Sequence, residues 1–279
     1  IGSYKWLLFC FSIVNIIISL LHFLLIPGIH MTSYGYIFFA KRLETVSNTM
    51  GFLLNLLFVA TFYETFLLLA YHYVYRYILL CHSLPTLTHA FSNPFRFTIP
   101  LAILINILYI GCFIILICYG YQMNDRTSAL YQPELLRFYD FDVYGPSRPG
   151  YIGLAYRFPL SDGGHEWNAL ALCTNAAVIL VFGGTGIVII LCLSRIQTAL
   201  QMTEFHLSSK THSMQRSLLR ALIIQTVVPC LISYLPLSLL FLVPLTSFSF
   251  AGWGNVLIMS TAIFPAVDPF LVVIFVRGY

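Results

Sequence analysis

The sequence TIPLAILINILYIGCFIILICYGY, residues 98–121, decides the fold because it carries no charged residue over a length that can cross a bilayer. A helix needs about 20 mostly apolar residues to cross the roughly 30 Å of hydrocarbon. Backbone groups in lipid must pair within one segment, and this run is far longer than a barrel strand. The stretch therefore predicts a transmembrane helix.

Five more runs of this kind occupy much of the remaining chain. They lie at about 4–26, 51–74, 168–193, 217–245 and 254–276. The whole chain is 59% hydrophobic and only 9% charged, with a mean hydropathy of +0.87. Soluble domains carry about 25% charged residues. The sequence therefore predicts an all-α, polytopic transmembrane helix bundle of about six spans that forms one domain over 1–279.

The charges between the spans predict which side is cytoplasmic, because Lys and Arg collect there. One side carries eight basic residues against one acid, and the other carries six basic residues against seven acids. The first side holds both chain ends and an inner loop at 194–216. The second side holds the long outer loop at 122–167. We therefore predict that both ends of this chain face the cytoplasm.

Enzyme, metal and nucleic-acid patterns are absent from the sequence. There is no His-Glu-x-x-His motif, no pair of intramembrane aspartates and no phosphate-binding loop ending in Gly-Lys-Ser/Thr. The seven cysteines lie in or beside the spans, where we expect packing roles. His22 and His72 have no neighbouring metal ligands. The sequence predicts no enzymatic activity, no cofactor, no metal and no nucleic-acid partner.

Arg76 stands among aromatic residues in Ala70-Tyr71-His72-Tyr73-Val74-Tyr75-Arg76-Tyr77, where the second run meets the cytoplasmic side. Two interpretations are open. Tyr and Arg commonly anchor helices at a membrane interface, with the charge extended to the headgroups. A guanidinium at the mouth of a bundle can instead hold neighbouring helices and then release them to admit a partner, with Tyr75 and Tyr77 beside it.

Two carboxylates lie inside the spans, where they are costly and are functional candidates by default. Asp268 follows Phe264-Pro265-Ala266-Val267 in the last run, and we interpret it as a helix-coupling switch. Glu64 lies three turns before Arg76, near mid-membrane. We interpret Glu64 either as a ligand-pocket residue or as a packing residue.

Prolines and basic residues mark the late part of the chain. Interior prolines remove a backbone hydrogen bond and kink a helix. We interpret four of them as helix hinges: Pro229, Pro236, Pro265 and Pro269. In the inner loop, Lys210 and Arg216 lie in a polar, basic, helix-compatible stretch. That stretch fits either a partner site or a loop attracted to anionic lipid.

The outer loop at 122–167 is long and rich in tyrosine and phenylalanine. Loops of this size are often functional or disordered. Its aromatic content predicts either a lid over an apolar pocket or loose packing on the bundle.

Three motifs, taken in order, resemble one family, the nematode seven-transmembrane chemoreceptors of the Str superfamily, closest to its Str and Srj members. Residues 70–77 resemble its His-aromatic-x-Tyr-Arg-Tyr signature. Ser209-Lys210-Thr211-x-x-x-Gln215, continued by Ala221-Leu222-Ile223-Ile224-Gln225-Thr226-x-x-Pro229 and Tyr234-x-Pro236, resembles its third inner loop and sixth span. Pro265-x-x-Asp268-Pro269 followed by Arg277-Gly278-Tyr279 resembles the end of its seventh span.

The resemblance covers nearly the whole chain and implies a receptor of the G-protein-coupled type. Its partners would be an odorant-like small molecule, a heterotrimeric G protein and the lipid bilayer, and its location a sensory-neuron cilium. The switch residues for coupling would be Tyr75, Arg76, Tyr77, Lys210, Arg216 and Asp268. Because the chain opens at what resembles the first inner loop, we expect family spans two to seven, with the first span missing.

Two other functions are compatible with the sequence. A six-span channel or transporter would need a polar pathway, for which Glu64, Asp268 and the late prolines are the candidates. A receptor that has lost a span could also be non-functional, because small and polar faces would then contact lipid. Ligand-gated current without G-protein signalling would favour the channel.

Overall fold

A computed structural model shows a bundle of long apolar helices. In chain order they are α1 (Tyr4–Leu25), α2 (Asn48–Cys81), α3 (Thr98–Gly120), α4 (Asp125–Tyr139), α5 (Ala169–Met202), α6 (Ser209–Pro229), α7 (Leu235–Leu242) and α8 (Gly254–Val276). The strands are β1 (Pro27–Met31), β2 (Gly35–Ala40), β3 (Ile152–Ala155), β4 (Arg157–Pro159) and β5 (His165–Trp167). The structure describes residues 4–43, 46–81, 98–121, 123–144, 150–202, 209–249 and 251–276.

The prediction of an all-α membrane bundle is confirmed. Within the described residues, five helical segments are long and apolar enough to cross a membrane, and Gly254–Val267 is a shorter apolar helix. The fifth segment, Gln215–Thr246, is not one regular helix, because a π-helix at Cys230–Tyr234 separates α6 from α7.

Much of the inner loop at 194–216, whose sequence is helix-compatible, is helical in the structure. α5 continues to Met202, and α6 begins at Ser209. With 34 residues, α5 is about 51 Å long at 1.5 Å per residue, which exceeds the membrane core. Hydropathy marks only the part of a helix in lipid. Beyond it, the Arg, Gln, Ala, Leu and Met side chains after Ser194 are good helix formers in water.

A three-stranded antiparallel sheet covers one end of the bundle, which we call the sheet end. β2 lies in the centre, with Ile29 of β1 opposite Phe38 and Leu154 of β3 opposite Tyr36. The predicted outer loop at 122–167 thus contains α4 and β3 to β5, and it is held to the hairpin β1–β2. Gly35 is required at this contact because an added Cβ would overlap the Leu154 carbonyl.

Both faces of β2 are buried. Tyr36, Phe38 and Ala40 belong to the core of the helix bundle. Ile37 and Phe39 face the other way, into a second core that α4 covers. Because no face meets water, the strand lacks the alternation of polar and apolar residues by which a half-buried strand is recognised.

The opposite end of the bundle, which we call the basic end, is where α2 and α5 finish and α6 begins. Arg195, Arg216 and Arg220 are exposed there.

Candidate functional site

An apolar cavity lies beneath the sheet. β1, β2 and β3 form its roof, and α2, α3, α5, α7 and α8 or their ends form its walls. Its lining residues are Ile29, Tyr36, Phe38, Phe58, Val59, Phe62, Tyr63, Ile117, Tyr121, Ile152, Val178, Leu237, Phe241, Ile258 and Thr261. About 60 Å³ is open to a water-sized sphere, where one water needs roughly 10–15 Å³. None of these described lining residues is charged, so the cavity suits a small uncharged molecule.

Phe62 connects the cavity to a layer of aromatic rings below it. Its ring contacts Tyr234 of the π-helix in an edge-to-face arrangement, with centroids 5.4 Å apart. Tyr234 also lies edge-on to Phe66, with centroids 4.8 Å apart, and its hydroxyl is 2.8 Å from the Thr65 hydroxyl. Phe66 in turn stacks on Phe182 of α5 at 4.2 Å. A displacement of the Phe62 ring would therefore disturb the packing of α2, α5 and the π-helix together.

The π-helix is joined to α8 through the Ile232 carbonyl. Pro236 has no N–H to donate to the Ile232 carbonyl four residues earlier. The hydroxyl of Ser260 in α8 lies 2.6 Å from that oxygen and 2.6 Å from the Leu257 carbonyl of its own helix, so the two carbonyls share its hydrogen bond. Of the predicted hinges, Pro229 ends α6 directly before the π-helix and Pro236 lies in the first turn of α7. Helix α8 is continuous through Pro265.

We expect Ser260→Ala to lower the free energy of unfolding by about 1 kcal/mol, because it removes an interhelical hydrogen bond in the membrane. The measurement is denaturation of the purified protein in detergent. Ser238→Ala is the matched control, since the Ser238 hydroxyl donates to the Tyr234 carbonyl within the same helical segment. Equal losses in both variants would contradict a bridging role for Ser260.

Close contacts also link the helices toward the basic end. The hydroxyl of Tyr73, a fully buried residue of α2, is 2.8 Å from the Thr226 hydroxyl and 3.4 Å from the Leu222 carbonyl, both on α6. His72, the residue directly before Tyr73, is buried edge-on to Phe11 of α1, with ring centroids 5.6 Å apart. The basic end of α2 is thus held between α1 and α6.

Arg76 is 6% exposed, so its side chain is buried against other parts of the protein. Tyr75 and Tyr77 are half-buried on either side. Arg216 is exposed. For Lys210 and Asp268 the described structure gives the backbone, within α6 and α8 respectively. Their side chains, and that of Pro269, lie outside the described residues.

Glu64 faces α3 and is not among the residues that line the cavity. Its Oε1 accepts a hydrogen bond from the Asn106 side chain at 2.6 Å. The carboxyl group therefore joins α2 to α3. Of the two interpretations of Glu64, this geometry supports the packing role.

Asn255, at the start of α8, is a residue that sequence reasoning did not select. Its Oδ1 accepts from the Ile29 backbone N–H at 3.1 Å, and its Nδ2 donates to the Tyr139 hydroxyl at 3.0 Å. It therefore ties α8 to β1 and α4. A lone Asn before an apolar run carries no signal of these contacts, because its partners are distant in sequence.

The bundle of long apolar helices, with an apolar cavity at one end and a buried arginine at the other, is consistent with a membrane receptor of the seven-helix type. The chain belongs to the serpentine type 7TM GPCR chemoreceptor family Str, whose family pattern matches residues 1–279. This confirms the resemblance drawn from the three motifs. The protein is therefore a multi-pass membrane protein of a chemoreceptor family.

Two curated relatives come from nematodes. "Serpentine receptor class r-10" of Caenorhabditis elegans is 23% identical over 100% of this chain and 80% of its own length. The protein of the same name from Caenorhabditis briggsae is 22% identical over 100% of this chain and 79% of its own length. No solved structure was found to match.

Proposed function

We propose that this receptor binds an odorant-like small molecule in the cavity beneath the sheet and signals to a heterotrimeric G protein at the basic end. The observation that carries the proposal is the composition of the cavity wall. Side chains from the sheet and from five helical segments meet there, so a bound ligand would contact the sheet and most of the helices of the bundle at the same time. A ligand shifts a conformational equilibrium only through such differential contacts.

The proposed route of the signal follows α2 and the π-helix. A ligand that displaces Phe62 would shift Tyr234, and with it the junction between α6 and α7. Tyr73 holds α6 against α2 further down, one turn before Arg76. Movement of α6 would therefore alter the surroundings of Arg76, Lys210 and Arg216, the surface that we assign to the G protein.

We place the receptor in the plasma membrane of a sensory-neuron cilium, with the basic end and both ends of this chain in the cytoplasm. The excess of Lys and Arg at that end supports the orientation. The membership of a chemoreceptor family supports the sensory location.

A larger side chain in the cavity should block ligand binding while the protein still folds. Val178 of α5 is 2% exposed and lines the cavity. We expect Val178→Phe to weaken the response to an agonist at least tenfold, because the added ring occupies the ligand's volume. The measurement is a G-protein activation assay in cells that express the full chain, screened with a panel of small volatile compounds.

The matched control is Leu180→Phe, on the same helix but 74% exposed on the bundle surface. We expect this variant to respond as the original chain does. A chain that reaches the cell surface, couples to G proteins and responds to no compound would contradict the receptor proposal. A response that Val178→Phe leaves intact would contradict the assignment of the cavity as the ligand site.

A further inference from the structure

A groove open to water lies at the sheet end, and none of the described residues that line it also lines the cavity beneath the sheet. It is formed by the first residues of α4 and α5 and by the hairpin of β4 and β5, so we call it the hairpin groove. About 580 Å³ of the groove is open to a water-sized sphere. This volume lies in the range of small-molecule sites.

The hairpin groove contains an ion pair between α4 and β5. Phe158 and Glu166 are directly opposite each other on β4 and β5, so their side chains share one face of the hairpin. Arg126 of α4 lies over the Phe158 ring, with its guanidinium carbon 4.3 Å from the centroid, and pairs with the Glu166 carboxylate. The hydrogen bond from Arg126 lowers the pKa of Glu166, so both groups are charged at neutral pH.

This ion pair uses only part of the hydrogen-bonding capacity of its two members. It joins Nη2 of Arg126 to Oε2 of Glu166. A guanidinium has five N–H donors. The other N–H groups of Arg126 and Oε1 of Glu166 have no partner among the described residues. Because the two side chains are 55% and 50% exposed, the groove presents cationic donors and an anionic acceptor side by side to the solvent.

The other polar residues of the groove already have structural roles. Asn124 and Asn168 cap α4 and α5, because each side-chain oxygen accepts a backbone N–H of the first turn, at 2.9 Å and 3.2 Å. Asp125 lies in the first turn of α4, where the helix dipole favours a carboxylate. The members of the ion pair are thus the charged groups of the groove that remain for a ligand.

We propose that the hairpin groove binds a zwitterionic small molecule of the amino-acid type. Its carboxylate accepts from Arg126, its ammonium group donates to Glu166, and an apolar side chain contacts the Trp167 ring, which lines the groove and is 53% exposed. A zwitterion gains two attractions from the pair, whereas a lone cation or anion is attracted by one member and repelled by the other. This site lies outside the proposed function, because its ligand is charged and its residues differ from those of the cavity.

Three probes that share a phenyl ring test the charge requirement: L-phenylalanine, the cation 2-phenylethylamine and the anion 3-phenylpropionate. Binding to the purified full chain in phosphatidylcholine nanodiscs is measured by ligand-observed NMR. We expect phenylalanine to bind and each of the other two to bind about tenfold more weakly or less, since each lacks one charge-assisted hydrogen bond. Equal binding of phenylalanine and either ion, or no binding of phenylalanine, would overturn the proposal and leave the ion pair as a tie between α4 and the hairpin.

Arg126→Gln and Glu166→Gln each remove one charge of the pair. We expect each to weaken phenylalanine binding about tenfold, and the thermal midpoint of each variant checks that it is folded. Arg137→Gln is the matched control, because Arg137 is exposed on the same helix and does not line the groove. Unchanged affinity in the first two variants, or an equal loss in Arg137→Gln, would contradict the site.

Val178→Phe distinguishes the hairpin groove from the cavity. Val178 lines the cavity and not the groove, so we expect this variant to bind phenylalanine as the original chain does. If Val178→Phe abolishes phenylalanine binding while Arg126→Gln leaves it intact, the probe occupies the cavity. In that case the hairpin groove is not the binding site, and the cavity remains one.

Discussion

Replacement of Arg76 by leucine is expected to abolish agonist-stimulated G-protein activation while the protein still reaches the cell surface. Arg76 is 6% exposed at the basic end, one turn after the contact of Tyr73 with α6. A guanidinium presents five N–H donors in a planar fork, and leucine presents none. We expect at least a hundredfold loss of response in a G-protein activation assay, corrected for surface expression.

Arg76→Lys and Arg220→Leu are the comparisons for this experiment. Lysine keeps the charge but not the planar fork, so we expect an intermediate loss. Arg220 is exposed on α6, and its replacement should change the response less than twofold. A full response from Arg76→Leu would show that Arg76 only packs the end of α2, and it would remove this residue from the proposed coupling surface.

Phe113→Ala is expected to cause the largest loss of stability among single substitutions in the helices. Phe113 of α3 is fully buried, stacks on Tyr63 with centroids 3.7 Å apart and meets Tyr109 edge-on at 5.0 Å. Its truncation leaves a cavity that neighbouring helices cannot fill, at a cost of about 3 kcal/mol. The measurement is the free energy of unfolding of the purified protein in detergent.

The control for Phe113→Ala is Ile107→Ala on the same helix. Ile107 is 63% exposed on the bundle surface, where lipid tails replace the lost contacts, so we expect a loss well below 1 kcal/mol. Similar losses in the two variants would mean that α3 is not packed against Tyr63 as described. Loss of surface expression in Phe113→Ala, but not in Ile107→Ala, would agree with the prediction.

The helices of this protein could be predicted because lipid imposes a simple condition on each of them separately. A run such as residues 98–121 must pair its own backbone groups, whatever its neighbours are. The helix α3 at Thr98–Gly120 agrees with that run almost to the residue. The ends of α2 and α5 that extend beyond the predicted runs were not identified from hydropathy, because a helix outside lipid does not need a continuous run of apolar residues.

The candidate site was predicted only in part. The motifs drew attention to Arg76, Thr226, Tyr234 and Pro236, and the structure brings Thr226 against Tyr73 and Tyr234 against Phe62. The coupling roles of Tyr75, Arg76, Tyr77, Lys210, Arg216 and Asp268 stay predictions. An apolar pocket was among the expectations, but its lining residues were not foreseen, because they are ordinary apolar side chains in the sequence and their convergence depends on how the helices pack.

Sequence by itself determined the membrane environment, the helical class and the family of this protein, because each of these depends on local composition or on a short motif. Tertiary structure alone decided that Arg76 is buried, that Glu64 pairs with Asn106 and that Tyr36 faces a cavity. Tertiary contacts in this protein join residues that are far apart in the sequence: Glu64 and Asn106 are 42 positions apart, and Ile29 and Asn255 are 226 positions apart. Pairing over such distances is set by the packing of whole elements, which no local pattern records.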